Sequence, residues 1–153
     1  MAKIGFIGLG ALGAAMAQRV MSLGHEAVGF NRSPAKATAL AGAGLQPAAT
    51  ADAACAADIV LSVLLDDAAV QEVLVDGFPF RRNPAAIHVS VSTISVPLVR
   101  NLARLHAAQG QAFVSAPVFG RPDNIRAANA VVAVGGAPEA IAGRRDVLAS
   151  FGE

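Results

Sequence analysis

The chain has 153 residues, enough for one domain with a real core and too few for two. Its formal net charge is +1 and its longest basic runs are the pairs Arg81-Arg82 and Arg144-Arg145, which argues against a nucleic-acid surface. A single cysteine, Cys55, excludes an internal disulfide and a cysteine-built zinc site, and despite a mean hydropathy of +0.52 no apolar run free of glycine and charge reaches membrane-spanning length.

Residues 3–7 (KIGFI) read as a strand, and the N-terminal stretch as a whole admits two readings. Lys3, the apolar run from Ile4 to Met16 and the small residues after it fit a secretory signal peptide. Against this, Gly8, Gly10 and Gly13 would weaken the helix such a segment needs, and downstream strands would lose their central neighbour on cleavage. The segment is therefore expected to stay in the fold, and the protein to be cytoplasmic.

Leu12, Met16, Val20 and Leu23 fall at helical spacing, and Gly24 closes that helix. EAVGFN (26–31) reads as a second strand. Ser33 and Pro34 open a second helix, serine as cap and proline at the first helical position, which ends near Gly42 or Gly44. A short strand is expected near 45–48, then a short helix capped by Thr50 or Asp52 that holds Cys55 as a small buried residue. DIVLSVLL (58–65) is apolar on both faces, as a buried parallel strand requires. Asp66 and Asp67 begin a helix with carboxylates at its positive end. AIHVSVS (86–92) is a strand, and Leu98, Leu102 and Leu105 line a helix ending at Gly110. Strands are expected over 111–117 and 129–136, an irregular loop over 118–129, and one last helix from Pro138 to about Ser150. This alternation predicts an α/β fold with a doubly wound, mostly parallel sheet occupying residues 1–153 as one domain. His25, His88 and His106 are too scattered for a metal site and are expected to be structural, and no metal is expected.

Gly8-Leu9-Gly10-Ala11-Leu12-Gly13 matches G-x-G-x-x-G. A strand precedes it, a helix follows, and the second strand ends at Asn31, 23 positions after Gly8. In a dinucleotide site the first glycine permits the turn, the second lets backbone approach the pyrophosphate, and the third lets helix pack on strand. The helix N-terminus supplies free N–H groups and partial positive charge. NAD sites usually carry Asp or Glu at the end of the second strand. Here Asn31-Arg32-Ser33 stand instead, and a guanidinium can grip a 2′-phosphate that a carboxylate would repel, so NADP is expected and NAD remains possible.

The opening GFIGLGALGAAMAQRVMSLGHEAVGFNRSPAKATAL resembles that of the β-hydroxyacid dehydrogenases, the family of 3-hydroxyisobutyrate, tartronate semialdehyde and 6-phosphogluconate dehydrogenases, and imine reductases share it. SVLLDD (62–67), SVSTIS (90–95), SAPVFGRP (115–122) and AVVAVGG (130–136) extend the resemblance in order over the whole chain. It implies a Rossmann fold in which residues Gly8, Leu9, Gly10, Ala11, Leu12 and Gly13 hold the pyrophosphate. By the same resemblance Asn31, Arg32 and Ser33 surround the adenosine ribose, Leu64 and Leu65 line the cofactor, and Thr93 sits near the nicotinamide ribose. Ser92, Thr93 and Ser95 could equally cap the helix that comes next. The family's substrate loop usually reads A-P-V-S-G-G. Here it is Ala116-Pro117-Val118-Phe119-Gly120-Arg121, so Phe119 replaces the serine and Arg121 the second glycine. That departure puts a small hydroxyacid substrate in doubt and leaves imines or larger carbonyl compounds open, with Ser92, Phe119, Gly120 and Arg121 as candidate substrate contacts. Arg121 could bind a carboxylate or pair with Asp123.

The family's catalytic lysine lies in a C-terminal all-α domain, and Lys3 and Lys36 are the only lysines here. The resemblance therefore implies a cofactor-binding half truncated near its C-terminal end, inactive alone and homo-oligomeric. It belongs to an NADP-dependent oxidoreductase of small-molecule substrates, with no nucleic-acid or membrane partner. A non-catalytic NADP-binding sensor or interaction module is the alternative, and a fold that no longer binds nucleotide is a third.

Overall fold

The computed structural model describes all 153 residues, Met1–Glu153. Strand β1 (Lys3–Ile7) lies between β2 (Glu26–Phe30) and β4 (Ile59–Ser62), pairing parallel with both, the place of a strand that belongs to the fold. With β3 (Gln46–Pro47), β5 (Ile87–Ser90), β6 (Phe113–Ser115) and β9 (Gly135–Gly136), the sheet runs β3-β2-β1-β4-β5-β6-β9. Only β9 is antiparallel, against β6. The chain starts in the middle, winds outward to β3, then returns to β4 on the other side of β1. That reversal leaves a crevice at the carboxyl ends of β1 and β4, where ligands bind in open α/β sheets.

Both faces of the sheet are covered, so its strands carry apolar residues on both sides. One layer, helices α1 (Ala11–Ser22), α6 (Pro122–Arg126), α7 (Pro138–Ala142) and α8 (Arg145–Ala149), shares a core with Ile4, Phe6, Leu61, Val89 and Val114. The opposite core holds Ile7, Val60, Leu74, Phe80 and Leu102, and is covered by α3 (Ala51–Ala54), α4 (Asp67–Val70) and α5 (Val96–Ala107). Helix α2 (Pro34–Ala41) joins β2 to β3. Gly5 sets the spacing of the second layer, because a Cβ there would lie 2.1 Å from the Ala54 carbonyl oxygen.

Four local expectations need correction. Residues 118–129 are ordered: β7 (Val118–Phe119) pairs with β8 (Val131–Val132), and α6 lies between them, anchored by Asn124, whose Oδ1 accepts from the Arg121 N–H at 2.8 Å. The run 129–136 is two strands, because Ala133 and Val134 carry the chain from β8 to the edge of the main sheet. The last helix is two, broken at Gly143-Arg144, so residues after Gly143 pack as a separate turn through Val147 and Leu148. Finally, α4 is a single turn that passes into a π-wound segment, Gln71–Asp76. No helix is long and apolar enough to cross a membrane.

Candidate cofactor site

The glycine turn leaves β1 at Ile7 and enters α1 at Ala11. Gly8 adopts φ +100°, and a Cβ there would lie 2.2 Å from the Val63 carbonyl oxygen, so only glycine fits. A Cβ at Gly13 would meet the Gly8 carbonyl at 2.2 Å, which is why the helix can pack directly on the turn. Gly10 is different: nothing lies within 4 Å of its would-be Cβ. No side chain caps α1, and the amides of residues 10–13 donate to no acceptor in the protein. Four free N–H groups at a helix N-terminus, facing open space across a glycine, fit a diphosphate.

Two cavities flank this turn and share Gly10, Val63, Leu64 and Leu65. The one on the β2 side, about 300 Å³, is lined by Gly8, Phe30, Asn31, Arg32, Ser33, Lys36, Ala69, Glu72 and Val73 among others. The one on the β5 side, about 360 Å³, adds Ala11, Leu12, Gly13, Val91, Ser92, Thr93 and Val118. A larger opening between α5 and the β6–β9 edge lies away from the glycine turn.

Most of the residues singled out in the sequence meet here, though several in another role. Leu9 lines neither cavity; its side chain is in the core. Its N–H donates to Asn31 Oδ1 at 2.8 Å, while Asn31 Nδ2 donates to the Ser33 carbonyl at 3.1 Å. Asn31 therefore ties the glycine turn to the loop after β2. Ser33 occupies the cap position of α2 without a side-chain cap bond, leaving its hydroxyl free in the cavity. Arg32 is exposed, with Glu72 Oε2 4.0 Å from its Nη1. Lys36 and Glu72 enter the same cavity from α2 and the π-wound segment. Lys36 lies within the opening stretch that carries the resemblance, whereas Glu72 has no signal in the sequence.

On the other side, the Ser92 hydroxyl accepts from the Leu64 N–H at 2.8 Å and so holds the β4 loop. Thr93 is exposed at the cavity wall, and Ser95 stands at the N-cap of α5 with its N–H donating to Asp67. Phe119, Gly120 and Arg121 are exposed but line neither cavity; only Val118 of that loop does. Asp123 pairs with Arg126 at 2.9 Å rather than with Arg121, because one turn of α6 brings them together.

The histidines also need correction: two of the three meet. His88 on β5 and His106 on α5 are fully buried, with His88 Nδ1 2.8 Å from His106 Nε2. Ser62 Oγ lies 2.8 Å from His88 Nε2, and Gln111 Oε1 2.8 Å from His106 Nδ1. The Gln111 Nε2 group donates to the carbonyls of Asn83 and Ala86, which fixes Oε1 as the acceptor facing His106. His106 Nδ1 must then carry a proton, His88 donates through Nδ1, and Ser62 donates to His88. Every ring nitrogen is satisfied with both imidazoles neutral, and burial, reinforced at His88 by its neighbour His106, holds both below the usual histidine range. Burial likewise pushes the Cys55 thiol up to about 12, with Asp52 adding to the effect, so it stays protonated at neutral pH.

A doubly wound sheet whose glycine-lined crossover opens between two cavities defines a dinucleotide-binding domain. Residues 3–153 match the model of the NAD binding domain of 6-phosphogluconate dehydrogenase, and the chain belongs to that family. It is 39% identical to an uncharacterized oxidoreductase of Bacillus subtilis, YfjR, over 99% of this chain and 54% of that protein. The solved structure of 3-hydroxyisobutyrate dehydrogenase from Mycobacterium tuberculosis, with L-serine, superposes with a TM-score of 0.91 at 32% identity, covering 99% of this chain and 52% of that one. An imine reductase from Pseudomonas sp. gives a TM-score of 0.87 at 25% identity, over 98% and 52%. The chain thus spans about half the length of the relatives it matches.

Proposed function

We infer that this chain is the cofactor-binding half of an NADP-dependent oxidoreductase acting on a β-hydroxyacid or a related carbonyl or imine compound. The observation that carries the cofactor choice is the β2-side cavity. Arg32, Ser33 and Lys36 line it together, and the position after β2 holds Asn31 where a carboxylate would exclude a 2′-phosphate. The names of the relatives, a 3-hydroxyisobutyrate dehydrogenase and an imine reductase, support the substrate class.

In this reading the free amides of residues 10–13 bind the diphosphate and the α1 dipole favours its charge. Arg32, Ser33 and Lys36 hold the 2′-phosphate, Arg32 as a fork and Lys36 as a point charge. Leu64 and Leu65 exclude water along the middle of the cleft, and Thr93 and Val118 border the nicotinamide end. The nicotinamide, when bound, supplies or accepts hydride. Neither lysine of the chain reaches that end, since Lys36 lines the opposite cavity and Lys3 opens β1. In this reading neither of them is the catalytic lysine that the resemblance implies.

Titration calorimetry with NADPH and NADH tests the reading. NADPH is expected to bind more tightly, by a margin that narrows as salt rises, because charge holds the extra phosphate. Equal affinities, or a preference for NADH, would remove the NADP assignment.

A further inference from the structure

Glu72 is the only carboxylate lining the β2-side cavity. It comes from the π-wound segment after α4, whereas Arg32, Ser33 and Lys36 come from the loop after β2 and from α2. Dinucleotide sites that accept an unphosphorylated ribose usually do so with an acidic residue at the end of the second strand. Here the corresponding Asn31 has its amide engaged at both ends, by the Leu9 N–H and by the Ser33 carbonyl. The negative charge that this position lacks is present elsewhere in the cavity lining, on Glu72. Its Oε2 stands 4.0 Å from Arg32 Nη1, in an ion pair so exposed that it adds little to stability. An exposed pair that holds nothing together can still decide what enters between its members. Arg32 and Lys36 are the cationic side chains facing the same space.

We propose that Glu72 limits the preference of this site for NADP, accepting hydrogen bonds from the ribose hydroxyls of the unphosphorylated dinucleotide and opposing the 2′-phosphate. It opposes the phosphate in two ways: by like charge within the same cavity, and by competing for the Arg32 guanidinium. The site then prefers NADP moderately and retains a measurable affinity for NAD. This inference rests on the nucleotide-binding reading and adds a determinant outside the glycine and β2 motifs.

The test uses the Glu72→Gln variant, which keeps the size of the side chain at an exposed position. Binding of 2′,5′-ADP and of 5′-ADP is measured by calorimetry at low and at high salt, on wild-type and variant chains. In the variant, the affinity ratio of 2′,5′-ADP over 5′-ADP is expected to rise at least about threefold at low salt, and less at high salt. A ratio unchanged within error, with both ligands still bound, overturns the role of Glu72 and leaves the nucleotide site standing. A wild-type chain that binds neither these ligands nor NADPH overturns the nucleotide-binding reading and this inference with it.

Discussion

Among the three motif glycines the structure separates two roles that the pattern alone merges. A methyl at Gly13 would press on a backbone carbonyl 2.2 Å away, which the fold can relieve only by moving α1 off the turn. Gly13→Ala should therefore cost about 1–3 kcal/mol, seen as a lower Tm. Gly10 has φ −65° and open space around it, so Gly10→Ala should cost at most about 1 kcal/mol, through its cap position. The same methyl intrudes where the diphosphate would approach, so NADPH affinity should fall more than about tenfold. If Gly10→Ala melts early, or binds as well as the parent, the division of labour is wrong. The role of Asn31 was not legible in the motif. A side chain that lines the cavity is also the clamp between two loops, because an amide can donate and accept at once.

Between elements, the Ser62–His88–His106–Gln111 chain joins β4, β5, α5 and the loop after α5 by directional hydrogen bonds. Both imidazoles are neutral in the folded protein and titrate lower than in the unfolded chain, where 6.5 is the ordinary value. The unfolded state therefore binds more protons as pH falls through that value. Stability from this chain is complete above about pH 7 and is lost progressively below about pH 6.5. Thermal melts between about pH 8 and pH 5 should show Tm steady at first and then falling; a flat profile would contradict the neutral pair. Nothing in the sequence joins residues 88 and 106 to each other, since their contact depends on how α5 lies on the sheet. The alternation of strands and helices was legible because buried parallel strands must be apolar throughout, as in Ile59–Ser62. The run 129–136 was misread for a related reason. Valine and alanine favour a strand wherever it goes, and they carry no mark of the bend at Ala133 and Val134 that sends its two halves to different sheets.

At the scale of the molecule, cleft and fold are one object, because the reversal of strand order that builds the sheet also opens the crevice. A ligand that binds only the folded chain must raise its stability. NADPH at 100 times its Kd should add about 2.7 kcal/mol and raise Tm accordingly. Reduction of NADP+ by a hydroxyacid, or oxidation of NADPH by an imine, should be undetectable with this chain in a spectrophotometric assay, since neither lysine stands at the nicotinamide end. Appreciable oxidation of NADPH would place the acid/base group among these residues after all. On the substrate side, Phe119 and Arg121 are exposed and line neither cavity.

The Ser92–Leu64 hydrogen bond pins a leucine that belongs to both cavities, so the distance between them is built into the scaffold. A two-headed molecule of matching span is then measured against a fixed ruler. Once one head is seated, the tether keeps the other at high effective concentration beside its own berth, and avidity results without any new contact.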